Sequence, residues 1–211
     1  SINGRINNFG GWLQGERRYN PSNVAFIDSA GSFIESRNPE QGLGNGEIVD
    51  MNSSEKYYGQ AKLNFHISKQ IKFWYQYIHD DVSYQDYNRY FLFNPDGNAT
   101  NYRLGQTHLA QMTHLLSDNT FYTLGLSLFE KNFKRYVYED PYDARYVHPN
   151  LLTSLTPYSA STGGMDMTHF ERNTSTLVGK FDITSQVSQQ HLVKGGIQVS
   201  AHELYFNAAT L

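Results

Sequence analysis

The sequence predicts an all-β chain, part of an antiparallel up-and-down transmembrane β-barrel. Three observations predict it. Polar and apolar residues alternate with period two along about seven candidate strands. The chain reverses three times through one short pattern, an apolar residue, a Ser and two more polar residues: Ile67-Ser68-Lys69-Gln70, Leu116-Ser117-Asp118-Asn119 and Val187-Ser188-Gln189-Gln190. The other connections between the same runs are long, roughly 20 to 35 residues. Outer-membrane barrels are built this way, with short periplasmic turns and long extracellular loops. A soluble sandwich gives no reason to sort its connections by length.

The elements follow in order. A first strand is expected from about Ile2 to Arg18, and its many Gly and Asn residues weaken it. In the second, Tyr57, Gly59, Ala61, Leu63, Phe65 and Ile67 share one face and Tyr58, Gln60, Lys62, Asn64 and His66 the other. After the first turn, Ile71, Phe73, Tyr75 and Tyr77 oppose Lys72, Trp74, Gln76 and Ile78, with Trp74 and Ile78 breaking the polar side. A fourth strand spans about Thr107 to Leu116, its apolar face of Ala110, Met112 and Leu116 interrupted by His114. Beyond the second turn, Tyr122, Leu124, Leu126 and Leu128 alternate with Phe121, Thr123, Gly125 and Ser127. Leu177, Gly179, Phe181 and Ile183 lead into the third turn, and Val193, Gly195, Ile197, Val199 and Ala201 lead out of it.

A half-buried strand of a soluble sheet explains any one of these runs. Together they fit a wall better. The apolar set, Leu63, Phe65, Leu124, Leu126, Phe181, Ile183, Val193 and Ile197, is expected to face lipid. Lys62, Asn64, Lys180, Asp182, Lys194 and Gln198 are expected to face a wet lumen. Tyr and Phe gather near the strand ends: Tyr57, Tyr58, Tyr84, Tyr87, Tyr90, Phe91, Tyr136 and Tyr138. Interfacial anchoring and plain strand propensity both account for that.

The long connections are expected at about 19–53, 84–104 and 138–172, and they hold all six prolines. Asn94-Pro95-Asp96-Gly97 reads as a turn, since Pro fixes φ and Gly is permissive. The third connection is rich in apolar and aromatic residues, so it is expected to fold onto its neighbours as part of a ligand-capture surface. Tyr142, Tyr146 and Tyr158 are its candidate ligand-binding residues, with loop packing as the plainer role for each.

Composition narrows the chemistry. Of 211 residues, 15% are aromatic and only 18% charged, and the net charge is -3, so no basic surface for nucleic acid is indicated. Mean hydropathy is -0.58, and no apolar run approaches the ~18 residues of a spanning helix. A barrel strand needs only about 9–11 residues with every second one facing lipid. The cysteine count is zero, which removes disulfides, thiol nucleophiles and cysteine-held metals. Glu139-Asp140-Pro141-Tyr142-Asp143 reads as a solvated acidic turn in preference to a calcium site, because the ligand spacing is absent. The eight His show no metalloenzyme spacing, and no nucleophile elbow or phosphate loop is present. No enzyme, metal or cofactor is therefore expected. The chain opens at Ser1 without a signal-like segment and ends just after a strand, so residues 1–211 are expected to be a piece of a larger protein.

Several stretches carry a family resemblance. Asn94-Pro95-Asp96-Gly97, Tyr102-Arg103-Leu104-Gly105 with Thr107-His108, Thr120-Phe121-Tyr122-Thr123-Leu124, Tyr136 to Pro141, and Arg145-Tyr146-Val147-His148-Pro149 are among them. Gly163-Gly164, Asp166 to Phe170 and Phe181 to Val187 continue the pattern. The chain resembles the barrel of a TonB-dependent outer-membrane receptor, of the group with a carboxypeptidase-regulatory-like N-terminal domain. The resemblance covers nearly the whole chain and is strongest from Glu55 onward. These are framework and loop motifs, so they identify a family and no cargo.

What the resemblance implies is a Gram-negative outer-membrane location and a barrel of about 22 strands around a plug. It also implies import of a scarce small-molecule, glycan or peptide ligand with energy relayed by TonB. The plug, the TonB-engaging segment and the remaining strands would be partners of this segment. Two other readings stand beside it. One is a soluble all-β extracellular binding module, for glycans for example. The other is a small outer-membrane enzyme barrel, which needs a clustered catalytic set at its rim.

Overall fold

The computed structural model describes residues 1–22, 44–147, 160–161 and 163–211, and residues 26–27 and 33–34 by backbone alone. Among the described residues eleven strands follow in chain order: β1 (Ile2–Phe9), β2 (Gln14–Glu16), β3 (Phe26–Ile27), β4 (Phe33–Ile34), β5 (Ile48–Asp50), β6 (Ser54–His66), β7 (Ile71–Tyr84), β8 (Thr100–Ser117), β9 (Thr120–Tyr136), β10 (Thr168–Ser188) and β11 (His191–Thr210). Seven of them form one antiparallel sheet in the order β1-β6-β7-β8-β9-β10-β11. Every neighbour in that sheet pairs antiparallel. β2 pairs with β5, and β3 with β4, within the first long connection.

The meander puts the three short turns at one end and the connections 10–53, 85–99 and 137–167 at the other. The repeated Ser has a physical role in each turn. Ser68 Oγ accepts from the backbone N–H groups of Gln70 (3.1 Å) and Ile71 (3.0 Å). Ser117 Oγ accepts from Asn119 N and Ser188 Oγ from Gln190 N, both at a longer 3.4 Å. A side-chain oxygen mimicking a backbone acceptor is how Ser favours a turn over continued strand. The pairing register shifts by one residue beside two of the turns, at Leu115/Ser117 and at Gln186/Ser188.

Several expected boundaries need correction. The first strand ends at Phe9 and does not run to Arg18. Gly11 adopts φ 86, in a place where a Cβ would lie 2.5 Å from Asn52 Oδ1, and this turns the chain out of the sheet. β8 starts at Thr100, not near Thr107, so the second connection is shorter than 84–104. β10 starts at Thr168, inside the segment read as loop 138–172. At the start of β10 both faces are mainly polar, so alternation carries little signal, and at the start of β8 Tyr102 and Leu104 alternate with Asn101 and Arg103 over only a short run.

Directly paired residues project to the same side of a sheet. Phe65, Phe73, Met112, Leu124, Phe181 and Ile197 lie in one register row across six strands. Leu63, Tyr75, Ala110, Leu126, Gly179 and Val199 form the next. Lys62, Asn64, Lys180, Asp182, Lys194 and Gln198 share the opposite side, as the alternation predicts. The apolar face stays open: Leu63 is 51% exposed, Leu126 55% and Ile197 64%. The fully buried hydrophobics sit at the loop end instead, with Met51, Phe91, Ala99, Val147, Met165 and Met167 among them.

Candidate functional site

The second connection is the hub of the loop end. It holds two single-turn 3-10 helices, Arg89–Phe91 and Pro95–Gly97. Asn88 caps the first through its side chain, which accepts from Tyr90 N at 3.0 Å. Asn94 is 0% exposed and donates through Nδ2 to Gly164 O at 2.6 Å. Asp166 N donates to Gly97 O at 2.7 Å, and Ser161 N to Tyr90 O at 2.6 Å. These three bonds fasten the third connection to the second. Gly97 permits the approach, because a Cβ there would lie 2.6 Å from Gly164 O and 2.7 Å from Asn94 Nδ2.

The first connection is fastened to the other side of the same hub. Glu16 N donates to Leu92 O and Tyr19 N to Phe93 O, each at 2.9 Å. The Arg17 guanidinium forks onto Asp96, at 2.8 Å and 3.0 Å, and also pairs with Glu47. Arg18 lies 4.1 Å over the Phe93 ring. Beneath, Asn98 and Asn101 are buried and donate to Asp86, to its backbone O at 2.9 Å and its carboxylate at 3.2 Å. The turn residues Asn94 to Asn98 thus act as an internal joint, a role their polarity conceals in the sequence.

The three candidate tyrosines separate. Tyr142 is 91% exposed at the tip of the acidic turn. Tyr146 is committed to structure: its hydroxyl donates to Tyr138 O and accepts from Tyr138 N, both at 2.9 Å. Its ring packs on the cluster of Val147, Met165 and Met167. Tyr158 lies outside the described residues. Trp12, which periodicity does not single out, is 74% exposed on a backbone held by Asn52 Oδ1, which accepts from Trp12 N and Leu13 N at 3.0 Å each.

The acidic turn spends its carboxylates locally. Asp140 accepts from Tyr142 N at 2.9 Å, and Lys134 Nζ lies 3.0 Å from Glu139. Asp143 takes a two-pronged bond from Arg145, at 2.9 Å and 2.7 Å, and also accepts from the Arg145 backbone N–H. The Arg145 side chain, then its backbone N–H, hold the Asp143 carboxyl down at about 2. Asp166 is more enclosed. Burial pushes its pKa up, but the hydrogen bonds from Arg135 and Thr168 outweigh burial and hold it below the usual carboxylate value. Among the described residues no three His, Asp or Glu converge as metal ligands.

The wet face of the sheet continues below the loops. Asp80 sits between Arg103 and Lys56. Arg103 Nη2 donates to Oδ2 at 3.2 Å. Lys56 Nζ is 2.9 Å from Oδ1, close enough to pair charge but without hydrogen-bond geometry. The Lys62 ammonium lies 4.6 Å over the Trp74 ring, which explains how Trp74 fits a polar side. On the apolar face His108 and His114 are each tied to a tyrosine, Tyr75 with His108 at 2.6 Å and Tyr122 with His114 at 3.0 Å. No protein-family model, no curated protein and no solved structure matches this chain.

Proposed function

We propose that this chain is wall and loop surface of a TonB-dependent active-transport receptor in a Gram-negative outer membrane. The carrying observation is the sorting of connections in a seven-stranded antiparallel meander with one apolar face. Membrane lipid covers that face. Burying a Leu, Ile or Val side chain contributes about 1.5–3 kcal/mol, so an uncovered row of them needs an apolar neighbour. From Val187 to Leu177, at about 3.3 Å per residue and a barrel tilt of about 40°, the apolar face is about 25 Å tall. That is the height of the apolar band of such barrels.

In this reading the opposite face lines the lumen, and the joined loops form part of the extracellular capture surface. Tyr142 and Trp12 are its presented aromatic side chains. The plug, the remaining strands and the TonB-engaging segment belong to the intact receptor, because an open sheet edge in hydrocarbon costs several kcal/mol per unsatisfied group. The role of these residues is to bind and guide an imported solute, with no catalytic step.

Two adjacent positions on β9 test the assignment in the intact receptor. Leu126→Cys is expected to be shielded from a water-soluble maleimide in outer-membrane vesicles, and Ser127→Cys to react. Equal reaction at both positions would refute it. A soluble binding module would instead remain in the aqueous phase when cells are fractionated without detergent.

A further inference from the structure

The polarity of the sheet inverts toward its loop end. On β11, Glu203, Tyr205 and Asn207 continue the side that is apolar lower down, and Leu204, Phe206 and Ala208 continue the side that is polar. β10 follows, with Glu171, Asn173 and Ser175 against Phe170 and Arg172, and on β9 Glu130 and Asn132 stand against Phe133. From Leu177 to Arg172 the strand climbs five residues, about 13 Å at about 3.3 Å per residue and a tilt of about 40°. Strand ends that are polar outside and apolar inside stand clear of lipid and turn an apolar patch toward the mouth.

The patch has a cation at its centre. Arg172 pairs with Phe206 on one side and with Phe133 on the other, so the three share one register row. Phe133 and Phe170 meet edge to face with ring centres 5.8 Å apart, and the Arg172 guanidinium lies 5.8 Å from the Phe133 ring centre. Leu204 is 64% exposed and Phe206 65%. The loop cluster of Val147, Met165 and Met167 closes on Val137, Tyr138, Tyr146 and Leu211, and leaves both out. Arg172 is exposed and meets no carboxylate among the described residues. Glu130, Glu171 and Glu203 all project from the other side of the sheet.

We propose that this patch binds an amphipathic carboxylate, its apolar body on Phe133, Leu204 and Phe206 and its carboxylate on Arg172. The proposal rests on the receptor reading and names a ligand class for the mouth of that receptor. A guanidinium presents a planar fork that matches a carboxylate through two parallel bonds. Apolar neighbours exclude water and strengthen that pairing, and they reward an apolar body that a small hydrated anion lacks. The patch lies at the loop end, above the apolar band, so it asks nothing of the lumen below, where a plug would sit.

The test uses the intact receptor in outer-membrane vesicles, with Thr174→Cys as reporter. Thr174 pairs with Leu204 and projects from the same side as Arg172. The rate of labelling by a small neutral maleimide is measured against 2-naphthoate, against its uncharged counterpart 2-naphthalenemethanol, and against acetate. Half-protection by 2-naphthoate is expected at a concentration about 10-fold below that of either of the others. Arg172→Gln is expected to erase the advantage of 2-naphthoate over 2-naphthalenemethanol. Phe206→Ala is expected to weaken protection by both. Both substituted side chains are exposed, so neither change disturbs the packing of the sheet. Equal protection by 2-naphthoate and 2-naphthalenemethanol, equal protection by 2-naphthoate and acetate, or no protection at all would overturn the proposal. So would a reporter that stays silent until the receptor is denatured, the outcome expected if another protein segment covers the patch. Failure of the receptor reading shows elsewhere, as equal labelling of Leu126→Cys and Ser127→Cys with no naphthoate present.

Discussion

Gly97→Ala places one methyl group where the loop joint has no room for it. Gly97 does not use a positive φ, so the substitution tests space alone. The new Cβ would lie 2.6 Å from the Gly164 carbonyl oxygen, 2.7 Å from Asn94 Nδ2 and 3.2 Å from Phe91 Cδ1. The first is backbone and the second is itself bonded to that backbone, so neither can swing aside. Overpacking costs about 1–3 kcal/mol. Loosening the Asn94 to Gly164 and Asp166 to Gly97 bonds adds about 1 kcal/mol each. A local loss of about 3–5 kcal/mol is expected, equivalent to about 150-fold or more in the opening equilibrium. Amide hydrogen exchange in the intact protein is the assay. Residues 160–167 and the 16–19 segment are expected to exchange faster, while β6 to β11 keep their protection. Unchanged exchange, or a change confined to 85–99, would refute the idea that this connection joins the other two.

Four further outcomes are expected. Tyr146→Phe removes two backbone bonds and should loosen residues 137–147 by about 1–2 kcal/mol, seen as faster local exchange, whereas Tyr142→Ala should leave exchange unchanged. Asp166 has a folded pKa below its unfolded value, so its anchoring is complete above the ordinary carboxylate range and is lost as pH falls through the depressed value. Exchange at 163–168, corrected for intrinsic rates, should rise on acidification in the native protein and be pH-insensitive in Asp166→Asn. Asp143 follows the same sign, its turn holding down to about pH 2, and Arg145→Gln should move that loss upward in a carboxyl titration followed by NMR. On the proposed receptor reading, deleting Ala144 to Gly163 should leave membrane insertion intact and weaken ligand capture at the cell surface; unchanged affinity would remove this loop from the proposed capture surface.

The strands were legible where one face is apolar and the other polar, as from Tyr57 to His66 and from Thr120 to Leu128. The turns were legible because Ser at a fixed place in each has a local bonding role. Legibility failed at the upper ends of β8 and β10. In β10 Arg172 and Asn173 put polar side chains on both faces, and in β8 the alternation of Tyr102 and Leu104 with Asn101 and Arg103 is too short a run to mark a strand. The joint failed for a different reason. Asn94, Asn98 and Asn101 have the composition of a solvated turn, and only contacts with segments distant in sequence bury them.

The tyrosine–histidine pairs change how the apolar face should be scored. A hydropathy scale counts the Tyr75 hydroxyl and the His108 ring nitrogen as two separate polar groups. The fold joins the Tyr75 hydroxyl and His108 Nδ1 in one hydrogen bond of 2.6 Å. Each partner is then the other's solvent. Removing one, as in Tyr75→Phe, leaves an orphan worth about 1–3 kcal/mol, and removing both can cost less than removing either. A mean hydropathy of -0.58 therefore understates how dry this surface can be.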